Sequence, residues 1–116
     1  MFTITRIFTP SNYDLNKPLF LDIETHGSDY NDVRSVQLYQ EGQDVVQVLD
    51  TNEYPLIQIY EVIKDFHVVA HNYSFEASCF ANDLKLHRNP FERFSDTFLL
   101  ARIALPRLGA YNLAAV

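Results

Sequence analysis

Leu19-Phe20-Leu21-Asp22-Ile23-Glu24 sets two acidic residues at the end of a stretch otherwise built from large apolar side chains. A short apolar run bounded by turn residues reads as a buried strand, and one that is apolar on both faces belongs in the middle of a sheet. Residues two apart on a strand leave the same face, so the Asp22 and Glu24 carboxylates stand about 6–7 Å apart along the chain. Acids on a buried strand are costly unless paired or bound to a cation. Oxygen donors at this spacing suit Mg2+ or Mn2+ better than a metal that prefers soft ligands. The plainer alternative is that the strand emerges into solvent there and the acids are surface residues.

Around this strand the pattern alternates between periods of two and of 3.6. Pro10-Ser11-Asn12 and Asn16-Lys17-Pro18 punctuate an arm over residues 1–18, leaving one domain over residues 19–116. Val33 to Glu41 and Asp44 to Leu49 alternate about Glu41-Gly42-Gln43, which predicts a hairpin. Leu56, Ile59, Tyr60, Ile63 and Phe66 then recur at helical spacing, with Pro55 in the first turn and Thr51 or Asn52 as candidate caps. A short strand is expected over His67 to His71, a helix from about Ser74 to Leu86, an extended piece at Phe94-Ser95, and a helix from Asp96 to Leu105. Tyr111 to Val116 reads as the opening of a further helix. Strands alternating with helices in this order predict an α/β mixed sheet with flanking helices.

Composition narrows the function. With 47% hydrophobic and 14% aromatic residues the chain can build a core, which excludes a disordered segment. No apolar run approaches the length of a membrane span, and the first residues lack the pattern of a signal peptide. The single cysteine, Cys79, excludes an internal disulfide and suits a reducing, cytoplasmic setting. A net charge of −6 argues against a protein that coats nucleic acid by charge alone. It is compatible with a nuclease, because a carboxylate metal site is itself acidic and accepts phosphate only once cations are bound.

Glu76 lies three residues after Tyr73 and four before Phe80, on the inward stripe of its helix. An acid there needs a partner. Either a structural salt bridge to Lys85, Arg88 or Arg93 or a metal would serve. Asp96, just ahead of a helix, reads as an N-cap. His67 and His71 read as hydrogen-bonded structural residues, and Cys79 as buried and inert. His87-Arg88, Arg93, Arg102 and Arg107 form either a basic rim that guides a nucleic acid or a merely solvated surface.

Taken together, three segments resemble the DEDD superfamily of 3′–5′ exonucleases, which has a ribonuclease-H-like fold. Leu19-Phe20-Leu21-Asp22-Ile23-Glu24-Thr25 resembles its first motif, an Asp-x-Glu ending a strand. Val68-Val69-Ala70-His71-Asn72-Tyr73-Ser74-Phe75-Glu76 resembles its second, in which Glu76 stands where the family usually has Asp. Ser95-Asp96-Thr97-Phe98-Leu99-Leu100-Ala101-Arg102 resembles the Asp-Thr helix start of proofreading domains in family A DNA polymerases, especially phage ones.

The resemblance implies two divalent cations, Mg2+ or Mn2+, at the scissile phosphate. Asp22 would bridge both, Glu24 would hold the one beside the attacking water, and Glu76 would contact the second. Thr25 and Asn72 would touch the terminal nucleotide, while Phe75 packs the helix onto the sheet. The family's last motif, Tyr-x-x-x-Asp or its His counterpart, has no match here. The expectation is therefore a C-terminally incomplete fold and metal set, completed by a polymerase domain or another protein partner. Two functions follow. The first is a 3′–5′ exonuclease acting on single-stranded DNA ends, of the DNA-polymerase proofreading type. The alternative is a catalytically inactive exonuclease fold used as a binding or regulatory module, which in a viral protein would be placed in the host cytoplasm.

Overall fold

The computed structural model describes residues 3–27 and 32–104, apart from the side chains at positions 102 and 103. Six strands form one mixed sheet: β1 (Thr3–Thr5), β2 (Leu19–Thr25), β3 (Val33–Gln40), β4 (Val45–Asp50), β5 (Val68–Ala70) and β6 (Phe94–Asp96). Their spatial order is β1-β4-β3-β2-β5-β6. β2, β3 and β4 pair antiparallel as a meander, whereas β5 joins β2, β6 joins β5 and β1 joins β4 in parallel. The helices are α1 (Leu56–Ile63), α2 (Tyr73–Leu84) and α3 (Thr97–Ala104). The expected Tyr111–Val116 helix lies outside the described residues.

β2 is central, as its apolar sequence predicts, yet among the described residues one of its faces is buried and the other is exposed. Leu19, Leu21 and Ile23 are buried, while Phe20, Asp22 and Glu24 alternate onto an exposed face. The reason lies in the helices. The inward stripes of α1 (Leu56, Ile59, Tyr60, Ile63) and α2 (Tyr73, Glu76, Cys79, Phe80) belong to the same buried cluster as Leu19, Leu21, Ile23, Val36, Leu38 and Leu49. Tyr60, Phe80 and Phe91 meet at its centre, with ring centroids 5.2–5.8 Å apart, and the Tyr60 hydroxyl donates to the Pro90 carbonyl at 2.8 Å. Such ring pairs add about 0.5–1.5 kcal/mol each beyond their area. On the opposite face the Phe20 side chain remains well exposed.

The stretch read as an arm contributes an edge strand, β1. It is then pinned by the buried Gln40, whose amide accepts from the Asp14 N–H (2.8 Å) and donates to the carbonyls of Asp14 (2.7 Å) and Lys17 (3.0 Å). The hairpin turns at Gly42, whose φ of +91° suits a residue without Cβ. Neither Thr51 nor Asn52 caps α1. Thr51 instead donates its hydroxyl to the Val33 carbonyl at 2.8 Å, and the Pro55 carbonyl accepts the first helical N–H groups. α2 begins at Tyr73 and ends at Leu84 because Lys85 turns left-handed, with φ +55°.

Candidate functional site

The parallel pairing of β2, β5 and β6 brings the ends of β5 and β6 close to Asp22, midway along β2. Asp96, the last residue of β6, is the joint. One of its carboxylate oxygens accepts from the N–H groups of Asn72 (2.9 Å), Phe98 (2.9 Å) and Leu99 (3.3 Å), and the other accepts from Tyr73 N–H (2.9 Å). The expected N-cap of α3 is therefore present, and the same side chain also anchors the start of α2. Anions at helix N-termini are favourable, and each lost cap costs about 1 kcal/mol. Asp96→Ala is expected to destabilise the chain by about 2 kcal/mol, read from urea denaturation at pH 7. A loss below about 0.5 kcal/mol would show that the two helix starts stand without it.

That anchoring sets the turn before α2. Asn72 is held left-handed, with φ +67°, and its side chain is exposed. Asn tolerates this conformation better than most residues. His71 Nδ1 is bonded to Thr97 Oγ1 at 2.9 Å, and His67 Nε2 to Ser95 Oγ at 2.8 Å, so both histidines have the structural partners expected of them.

Glu76, one turn into α2, is 3% exposed, and its Oε2 has no hydrogen-bond partner. The salt bridge to Lys85, Arg88 or Arg93 does not form. Among the described residues the ion pair found is Lys64–Glu61, at 2.8 Å on the surface. Burial, together with the negative charges of Asp22 and Asp96, pushes the Glu76 carboxyl up to about 8 despite opposing help from backbone N–H groups. Burial and the neighbouring Glu24 likewise raise the Asp22 carboxyl. Cys79 is fully buried with its thiol pushed up to about 11, which makes it inert.

Asp22 and Glu24 share the open sheet face but border different hollows. Asp22 edges an apolar groove of about 410 Å³ lined by Phe20, Tyr39, Val46, Val69 and Thr97 among others. Glu24 edges a polar cleft of about 390 Å³ with Arg6, Arg34, Ser35 and Asp50. Opposite Asp22 in register stands Gln37, a contact that sequence reading missed. With its amide nitrogen turned toward β2, Gln37 donates to Asp22 Oδ2 (3.3 Å) and to the Asp22 carbonyl (3.2 Å), while its oxygen accepts from Ser35 Oγ (2.7 Å). The outward phase of the Val36-Gln37-Leu38 alternation was the available signal. Thr25 donates its hydroxyl to the Gly27 carbonyl at 2.6 Å. His87, Arg88 and Arg93 line neither hollow, and Arg107 and the Arg102 side chain lie outside the described residues.

Asp22, Glu24 and Glu76 are the residues that could hold a cation. No three Asp, Glu, His or Cys side chains among the described residues converge into a ready cage. The donor chemistry nevertheless fits. Mg2+ is commonly bound through one or two carboxylates, with water and substrate phosphate completing its shell. The unpartnered buried oxygen of Glu76, beside the charge of Asp22, is the kind of group that such an ion satisfies.

Strand order, pairing directions and helix placement define an α/β fold of the ribonuclease-H-like type. In particular, the chain is similar in structure to NrnC of Brucella melitensis, with a TM-score of 0.66 and 14% identity, covering 95% of this chain and 54% of that one. It is also similar to RNase D of Trypanosoma brucei. In complex with GMP that protein gives a TM-score of 0.56 and 12% identity over 75% of this chain and 29% of RNase D. In complex with RNA U12 the values are 0.53 and 14%, over 73% and 32%. This chain thus spans about half the length of NrnC. No protein-family model matches it, nor does any curated protein by sequence.

Proposed function

We propose that this chain carries the acidic half of a 3′–5′ exonuclease site that hydrolyses single-stranded nucleic acid from its 3′ end. The observation that carries the reading is the buried Glu76 carboxyl, unpartnered at Oε2 and under the charge of Asp22, midway along the central strand. Divalent cations bound there would neutralise phosphate charge and make a bound water acidic enough to attack near neutral pH. Glu76 supplies the buried oxygen donor, and Asp22 and Glu24 add carboxylates on the open face. Gln37 orients Asp22, a supporting role typical of residues just behind metal ligands. The exposed amide of Asn72 and the hydroxyl oxygen of Thr25 are the groups offered to the terminal nucleotide.

The substrate we infer is a single-stranded DNA end, as in polymerase proofreading. An RNA end is the second reading, favoured by the RNA U12 complex of the structurally similar RNase D. Both are tested by incubating the folded chain with 5′-labelled DNA and RNA oligonucleotides in Mg2+ or Mn2+. The expected product is a ladder shortened one nucleotide at a time from the 3′ end and abolished by EDTA. If both strands stay intact in either metal, the nuclease reading fails. Strand binding that persists in chelator would then assign the fold a binding role.

A further inference from the structure

The polar cleft beside Glu24 has a feature that the carboxylates do not explain. Glu24 pairs with Ser35, yet the next residue, Thr25, pairs with Val33, so Arg34 is an extra residue in β3. A bulge of this kind re-aims a side chain that strict alternation would send to the other face. Arg34 accordingly lines the cleft with Glu24 and Ser35, and Arg6, just past β1, reaches it from the opposite side. Both arginines are exposed, and neither is ion-paired to a described carboxylate. In a chain with nine Lys and Arg against 15 Asp and Glu, two arginines that offset Glu24 and Asp50 in one hollow make it locally neutral where the chain as a whole is acidic.

We propose that Arg6 and Arg34 clamp a backbone phosphodiester of the bound strand, upstream of the bond that is cut. Guanidinium groups offer paired donors that match phosphate oxygens, which suits them to this task better than lysine. The clamp rests on the nuclease reading for its ligand, and it deepens that reading by placing the strand's path. The strand runs from the acids at the end of β2 across β3 toward β4 and β1. Its phosphate sits between the two guanidinium groups, which offset Glu24 and Asp50, rather than facing the apolar groove beside Asp22.

The test is anisotropy titration of a 5′-dye-labelled single strand with Ca2+ replacing Mg2+, comparing the native chain with R6Q/R34Q and R6K/R34K. R6Q/R34Q is expected to bind about 10-fold more weakly, with a log–log salt slope smaller by about 1 to 2. R6K/R34K should keep most of the salt slope and lose part of the affinity. A methylphosphonate scan adds a positional readout. Neutralising one internal phosphate should weaken native binding about 10-fold and leave R6Q/R34Q binding unchanged. Equal binding by all three proteins, no strand binding at all, or a phosphate penalty that persists in R6Q/R34Q overturns the clamp. Arginine-dependent binding without hydrolysis in Mg2+ would retire the nuclease reading and leave the clamp standing. Hydrolysis indifferent to both arginines would do the reverse.

Discussion

Asp22→Asn is expected to lower hydrolysis by roughly three orders of magnitude while leaving the fold intact. Asn keeps the size of the side chain and an oxygen that accepts from Gln37, so the contact across β2 and β3 survives. What it removes is charge. Burial and Glu24 already make an ionised Asp22 unfavourable, so the substitution costs no stability in chelator. Catalysis by positioned charge has no such tolerance, because a neutral amide is a poor ligand for a divalent cation and does not offset phosphate. The check is kcat/KM on a single-stranded oligonucleotide beside thermal denaturation in EDTA. A variant that retains more than about a tenth of the native rate would place the reacting phosphate elsewhere.

The core was legible because its signals are local. The run from Leu19 to Ile23, the hairpin alternation about Gly42 and the helical spacing from Leu56 to Ile63 each fix an inward face without knowledge of the rest of the fold. Glu76 was legible for the same reason, since Tyr73 and Phe80 bracket it on one stripe. What sequence did not show depends on which faces the helices leave bare. β2 is apolar on both faces, yet Phe20 is exposed because α1 and α2 both pack on the other face. Gln37, Arg34 and Arg6 gain meaning only through cross-strand register, and Arg34 only through a bulge that alternation cannot foresee. β1 is three residues long and pairs with a strand some forty positions away, which no local period reveals. Asp96 shows the limit from another side. Its N-cap to α3 is a spacing rule, but its hold on Asn72 and Tyr73 comes from the parallel pairing of β5 with β6.

Glu76→Gln is expected to stabilise the chain at pH 8 and to remove most of the pH dependence of its folding. The folded chain keeps the Glu76 proton up to about pH 8, whereas the ordinary value for the group is 4.5. Between those values the folded state holds one proton more than the unfolded state. Stability is therefore full below about pH 4.5 and falls as pH rises toward 8, by at most about 1.4 kcal/mol per unit. Water at the adjoining open face screens part of this, leaving a total on the order of 2–4 kcal/mol. Gln mimics the protonated acid, so the variant should match the native chain near pH 5 and exceed it by about 3 kcal/mol at pH 8 in EDTA. Mn2+ should then separate the two proteins. Bound at Glu76 and Asp22, it favours the ionised carboxylate and returns about 2.7 kcal/mol to the native chain at one hundred times its dissociation constant. The Gln variant, lacking the charge, should gain little. Urea denaturation at pH 5, 6, 7 and 8, with EDTA or Mn2+, reads both effects. A native profile flat across this range would show that Glu76 is ionised in the folded chain. Equal gains from Mn2+ in both proteins would move the cation away from Glu76, because a buried oxygen without a partner responds to an ion only when the ion reaches it.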